Sequence, residues 1–350
     1  MEPFDYDALP GRVIFGVGRR IEVGDEADLL GVSRVLLIAD AHDQVMIEQV
    51  SDALAGRCVG VYTEVAQHVP VELAEKVRDL ATSLGATATV TLGGGSATGF
   101  GKAVSLSHNL PQICIPTTYA GSELTPIWGL SDGEHKETGR DLRVLPKTVI
   151  YDPELTVGLP ISIAGPSAMN ALAHAVEGLY GPGANPFMSA MALEAVRVLA
   201  VHLPLMHESP SSIEERSQVL YGAYLAGAVL AVVGTSLHHK TCHVLGGLYG
   251  LDHGQMNAVV LPHALAYNKP AIPEAYKRLS DVLGGDASGA LYDLARYLET
   301  PASLLEIGMP EEGVHRAAAL IVKEASSNVR PINEEQAIAF LANCAKGERP

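Results

Sequence analysis

Along the first part of the chain, short apolar blocks alternate with longer stretches whose apolar residues recur at helical spacing. Val35–Ala39 is an unbroken apolar block that stops at Asp40, the pattern of a strand buried on both faces. Residues 45–54 read as a helix and Cys58–Tyr62 as a second strand. Residues 71–84 carry an amphipathic helical pattern closed by Gly85, a residue suited to the left-handed turn that ends a helix. Residues 87–92 predict the next strand, which runs into Gly93-Gly94-Gly95-Ser96, and a helix continues through Lys102 and Leu106. Residues 112–115 predict another strand, followed by the loop Pro116-Thr117-Thr118-Tyr119-Ala120-Gly121-Ser122. Strands alternating with helices imply a mostly parallel sheet with helices on both faces.

Beyond Asp152-Pro153 the strand pattern stops. Residues 164–180, 186–202, 213–234 and later stretches are helical in pattern and are punctuated by Gly and Pro. With 350 residues the chain is long enough for two cores. The expected division is an α/β domain over residues 1–155 and an all-α domain over residues 156–350. Residues 219–237 hold no charged side chain and approach the length that spans a bilayer. They are rich in Gly, Ala and Tyr rather than Leu and Ile, so a core helix, apolar on all sides, is the better reading.

Composition narrows the partners. Hydrophobic residues at 47% against 18% charged residues fit a compact globular protein and exclude a disordered one. A formal net charge of −16 without a Lys/Arg cluster argues against nucleic acid, though not against a small anion held at a locally positive site. The acidic start, Met1-Glu2-Pro3-Phe4-Asp5-Tyr6-Asp7, lacks the order of a signal peptide. Cys58, Cys114, Cys242 and Cys344 are widely spaced and form no CxxC pair, which predicts free thiols in a reducing, cytoplasmic compartment. Cys242, beside His243, reads as a buried thiol before it reads as a nucleophile.

Gly93, Gly94 and Gly95 between a strand and a helix let backbone approach a pyrophosphate, and the helix N-terminus adds N–H donors and a favourable dipole. Asp40, at the end of an earlier strand, can accept hydrogen bonds from an adenosine ribose. This is not the G-x-G-x-x-G fingerprint, because Thr98 stands at its third glycine and the acidic residue precedes the glycines. Nor is it a P-loop, since Ser96 and Ala103 break that pattern. A nucleotide site of another lineage is implied.

Of the 13 histidines, five fall in one window: His238, His239, His243, His253 and His263. On a helix His239 and His243 are an i, i+4 pair and share a face. Imidazole donates, accepts and binds metal near neutral pH, so such a face suits proton transfer or metal chemistry. The cluster points to an enzyme and to half of its active site.

Gly93-Gly94-Gly95-Ser96 leading to Lys102, Pro116-Thr117-Thr118, Asn170-Ala-Leu-Ala-His174-Ala-Val-Glu177 and the histidine window together resemble the iron-containing alcohol dehydrogenase family. The match covers nearly the whole chain, and the motifs stand in family order. The resemblance implies a dehydroquinate synthase-like fold, with a dinucleotide-binding N-terminal domain, a helical C-terminal domain and a cleft between them. It implies a nicotinamide coenzyme, NADH with NADPH also accepted, touched by Asp40, Gly93, Gly94, Gly95, Ser96, Thr117, Thr118 and Ser122. A homodimer is expected by the same analogy. Within the family the sequence is most similar to the branch that reduces the C=C bond of maleylacetate to 3-oxoadipate, in the catabolism of resorcinol-type and chlorinated aromatics.

Metal-using members hold their ion with Asp and His at i, i+4 plus two later histidines; here these positions are Asn170, His174, His239 and His253. Losing the anionic oxygen removes much of the attraction for a divalent ion, and the expectation is catalysis with no metal required. The double bond of maleylacetate is already conjugated to a ketone, so hydrogen-bond donors and a proton source suffice for the developing enolate. His243 is the first candidate for the general acid, with His253 and His174 next. Lys240 is a candidate carboxylate anchor for the dianionic substrate, and Tyr119 a candidate donor on the cleft wall. Two other readings stand: a metal-dependent alcohol or polyol dehydrogenase, because three histidines can still hold zinc, and a non-catalytic metal-stabilised protein, which leaves the coenzyme loop without a purpose.

Overall fold

The computed structural model describes residues 4, 6, 8–42, 44–132 and 136–350; Met1, Glu2, Pro3, Asp5 and Asp7 of the acidic start lie outside the described residues. The chain divides into two compact units: Leu9–Leu159, and Pro160–Pro350 together with the described residues before Leu9.

Among the described residues, the first unit is built on eight strands and five α-helices. In chain order they are β1 (Arg12–Phe15), α1 (Val23–Leu29), β2 (Val35–Ala39), α2 (Gln44–Ala53), β3 (Cys58–Tyr62), α3 (Val71–Ser83), β4 (Ala88–Gly93), α4 (Gly95–His108), β5 (Gln112–Pro116), β6 (Ile127–Ser131), β7 (Lys136–Arg140), β8 (Thr148–Tyr151) and α5 (Glu154–Val157). Six strands form one sheet in the order β1-β8-β5-β4-β2-β3, every pair parallel. β6 and β7 form a separate antiparallel pair.

The alternation of side chains along β2 explains its unbroken apolar sequence. Val35 and Leu37 join Val90 and Ile113 in a core with Val23 of α1 and Val50 of α2. Leu36 and Ile38 join Val77 of α3 and Phe100 of α4 in another. Successive residues of a strand point to opposite faces, and helices cover both, so neither face tolerates charge. Gly85 takes a positive φ of 58° just past Leu84, the C-cap of α3, as the helix-ending pattern predicted. The sequence reading did not find β1, β8 or the β6–β7 pair. β1 and β8 are four-residue strands, too short to show a period.

From β2 the chain moves to one side to make β3, then returns across it to β4 and on to β5. The strand order therefore reverses between β2 and β4, and ligands of open parallel sheets bind beyond the carboxyl ends of strands at such a switch point. Asp40 follows β2, Gly93 closes β4 and Thr117 follows β5.

The second unit is helical: α6 (Ile161–Glu177), α7 (Pro186–Glu208), α8 (Ile213–Val233), α9 (Leu237–Tyr249), α10 (His253–Asn268), α11 (Pro273–Leu283), α12 (Ala287–Tyr297), α13 (Gly313–Glu324) and α14 (Glu334–Lys346). Two of these, α7 and α8, are long and apolar enough to cross a membrane by length and composition. In α8 67% of the apolar window is buried inside the protein, as a core helix requires. Leu237, Cys242 and Leu245 of α9 pack with Met256 and Val260 of α10 and with Ile321, Phe340 and Leu341 from α13 and α14.

Candidate active site

At the switch point the glycines bring two loops into contact. Thr117 N–H donates to Gly93 O at 3.1 Å. A Cβ on Gly94 would lie 3.1 Å from the Thr118 side chain, one on Gly93 would lie 2.9 Å from Ala97 Cβ, and Gly93 has φ +147°. Glycine is needed here for close approach as well as for conformation. Gly94 is the N-cap of α4, so the helix presents its free N–H groups just past the turn. Ser96 is half-buried in the first turn. Asp40 Oδ1 accepts from His42 N–H at 3.1 Å and lies 2.6 Å from His42 Nδ1. Hydrogen bonding by His42 holds the Asp40 carboxyl below its ordinary pKa, so it is ionised and partly exposed at the carboxyl end of β2.

In the helical unit, α6 carries Asn170, His174 and Glu177 at i, i+4 and i+7, which a helix places on one face. All three are buried. The Glu177 carboxylate accepts Ser236 N–H at 3.0 Å and His238 N–H at 2.8 Å. Ser236 makes no side-chain cap for α9, so a carboxylate from another helix satisfies the free donors at its start. Glu177 Oε2 also lies 2.7 Å from His239 Nδ1. A neutral imidazole that gives its Nδ1 proton to Glu177 keeps a lone pair on Nε2, which lies 3.3 Å from Asn170 Oδ1.

The rings form a file from the interior outward. His174 stacks on His239 at 4.5 Å, His239 meets His243 at 6.5 Å, and His243 stacks on His253 at 6.2 Å. His174 and His239 are buried, His253 is half-buried as the first residue of α10, and His243 is exposed. His238 stands edge-on to His239, and its Nε2 lies 3.1 Å from Asn257 O. Burial, then repulsion among the rings, holds His174 and His239 well below the ordinary imidazole pKa, and burial takes His238 down to about 3. Burial raises Glu177, opposed by His238 and the backbone donors. The deep rings are therefore neutral, the form in which imidazole binds metal.

The structure brings together Asn170, His174 and His239 at the buried end of the file and His243 and His253 at its outer end. Lys240 is half-buried on α9, one residue past His239 and so turned away from that ring's face. Tyr119, in the loop after β5, is fully buried. Cys242 is buried and its thiol pKa is pushed up by burial, which removes it as a nucleophile. Glu177 and His238 were missed as site residues. The available signal was a lone carboxylate in an apolar helix, three residues past His174 on the same face.

Residues 10–153 match the family described as "Iron-containing alcohol dehydrogenase", and residues 165–345 match "Fe-containing alcohol dehydrogenase family, C-terminal". This chain belongs to the iron-containing alcohol dehydrogenase family. It is an oxidoreductase with the dehydroquinate synthase-like fold of that family. Maleylacetate reductase of Sphingobium indicum is 45% identical over 348 residues, 99% of each chain. The crystal structure of maleylacetate reductase from Agrobacterium tumefaciens superposes with TM-score 0.96 at 41% identity, covering 100% of both chains. A 1,3-propanediol oxidoreductase structure superposes with TM-score 0.92 at 26% identity, covering 98% of this chain and 100% of its own.

Family membership corrects the expectation that no metal is required. The family is one of iron-containing enzymes, and Glu177, His238 and His239 offer ligand atoms within 4.8 Å of one another. The anionic oxygen missing at Asn170 is present at Glu177, which the sequence argument did not weigh. The donor set fits a borderline divalent ion: neutral imidazoles, a carboxylate, and at His174 a buried Nδ1 with no hydrogen-bond partner.

Proposed function

We propose that this family member transfers hydride from NADH, and also from NADPH, to maleylacetate, giving 3-oxoadipate. The full-length similarity to maleylacetate reductases carries this reading. The hydride adds to the alkene carbon β to the ketone, and the π pair moves to form the enolate. A proton at the α carbon then completes the saturated product. The Gly93, Gly94, Gly95 and Ser96 turn at the N-terminus of α4 would hold the coenzyme pyrophosphate, with Thr117, Thr118 and Ser122 beside it, and Asp40 would take the ribose.

His243 supplies the proton, because it is the exposed ring of the histidine file and can exchange with solvent. His253, stacked on it, holds its ring in place. Asn170 puts a neutral amide where a carboxylate would repel a dianion. Glu177, His238 and His239, with His174, would hold a divalent ion, which supplies Lewis-acid polarisation of a carbonyl when bound. We further propose a cytoplasmic homodimer acting in aromatic catabolism, with no nucleic-acid or membrane partner.

The test is NADH oxidation by the purified protein with maleylacetate and with simple aldehydes and glycerol-type substrates, before and after chelation. Turnover of maleylacetate with little turnover of the others is expected. Preference for an aldehyde or polyol would assign the chain to the alcohol dehydrogenase branch instead.

A further inference from the structure

α4 carries a second polar device beyond its glycine-rich start. Lys102 lies two turns into this helix, and its side chain is 1% exposed. Its Nζ reaches Ser122 O at 2.7 Å and Oγ at 3.2 Å, Thr125 O at 2.9 Å and Oγ1 at 3.0 Å, and Ile127 O at 2.7 Å. All five partners are neutral oxygens of one short segment, the continuation of the Pro116–Ser122 loop. An ammonium has three protons, so these contacts are shared among them. Thr125 Oγ1 also donates to Ser122 O at 3.1 Å, tying the segment to itself. Beside it the buried Glu123 carboxylate accepts from Tyr151 Oη–H at 2.7 Å.

Burying a cation against neutral oxygens is costly, and an apolar side chain of similar volume packs more readily at such a site. Lys102 therefore calls for a reason beyond filling space. The same helix presents Gly94 and Gly95 at its N-terminus, packed on Thr118 and Ala120 of the same loop. One rigid helix thus holds the loop at both ends, by close glycine contact at the turn and by the ammonium two turns later.

We infer that Lys102 is a positioning residue for the coenzyme: it locks residues 117–127 against the Gly93-Gly94-Gly95 turn, so that both walls of the pyrophosphate site stand in place before binding. This rests on the coenzyme placement proposed above. A preformed site avoids the ordering cost that a loose loop adds to each binding event. Lys102 touches no reacting atom, and its effect is confined to coenzyme affinity.

The experiment compares wild type, Lys102→Met, Thr125→Val and Gly94→Val, reading NADH affinity by fluorescence titration and the KM for maleylacetate at saturating NADH. Lys102→Met is expected to raise the NADH Kd at least about tenfold while the substrate KM stays within about twofold. Thr125→Val removes one acceptor from the cluster and should raise the Kd roughly threefold; it carries the test if Lys102→Met does not fold. A folded Lys102→Met with unchanged Kd, or one in which Kd and KM rise together, overturns the positioning role. For a Lys102→Met that does not fold, an unchanged Kd in Thr125→Val does the same. Gly94→Val separates the two layers: an NADH affinity untouched by that change sinks the coenzyme placement itself, whereas its loss beside an unchanged Lys102→Met sinks only the lysine.

Discussion

Lys102 in the sheet unit and the histidine file in the helical unit both put ionisable groups in the interior, and they do so in opposite ways. Lys102 is surrounded by oxygens of its own loop, so the protein itself satisfies the buried group. Around the file, His174 Nδ1, Asn257 Oδ1 and Thr241 Oγ1 are buried without a hydrogen-bond partner, and His263 Nε2 is another such atom on α10. An unsatisfied buried polar atom costs about 1–3 kcal/mol, so natural cores keep few of them. The contrast lies between the two clusters and not between whole units, since Thr89 Oγ1, Ser105 Oγ and Gln112 Oε1 of the sheet unit are also buried without a partner. The Lys102 ammonium serves to make one loop rigid, and the histidine file leaves valences open toward reactive or metal chemistry.

Replacing the exposed ring of the file tests the comparison most severely. His243→Ala should lower kcat by about 10²–10⁴-fold and leave the NADH Kd nearly unchanged, the usual size of a lost general acid. Steady-state kinetics with coenzyme titration decides it, and a near-normal kcat would pass the acid role to His253 or to water. A stability measurement comes next. His263 is 4% exposed, and burial takes it from 6.5 down to about 4. The unfolded chain therefore binds its proton first. Stability is full above pH 6.5 and is lost as pH falls toward 4. That loss amounts to about 3 kcal/mol from this one ring, at 1.36 kcal/mol for each pKa unit. His263→Leu should flatten the acid limb of denaturant midpoints by that amount, and an unchanged limb would place the acid sensitivity elsewhere.

Glu177→Gln keeps the shape of the carboxylate and removes its charge. We expect kcat/KM to fall by about 10–100-fold, the usual cost of losing the group that orients a functional histidine. Retained iron or other divalent metal, measured by elemental analysis, should fall with it, while NADH affinity holds. Equal losses of coenzyme affinity and turnover would show that Glu177 acts through general folding of α9. The smallest effect belongs to the sheet unit: Asp40→Ala should improve NADPH use over NADH use by roughly threefold to tenfold, by removing repulsion of the 2′-phosphate. A ratio that does not move would show that Asp40 points away from the ribose.

The β2, β4 and β5 strands and their helices were legible from pattern alone, because a strand covered on both faces must be apolar throughout and a half-covered helix must repeat at its own period. The glycine turn, Asp40 and the His239–His243 pair were legible for the same kind of reason: each lies within one local element whose geometry the spacing implies. The short strands β1 and β8 were not, since four residues carry no period. Glu177 was not legible, because residue type alone does not show which segment a buried carboxylate meets. Tertiary structure alone decided that Glu177 reaches from α6 to the start of α9. It also decided that Lys102 meets oxygens 20 or more positions away. Such contacts join positions distant in sequence, and no local periodicity records which of them fold together.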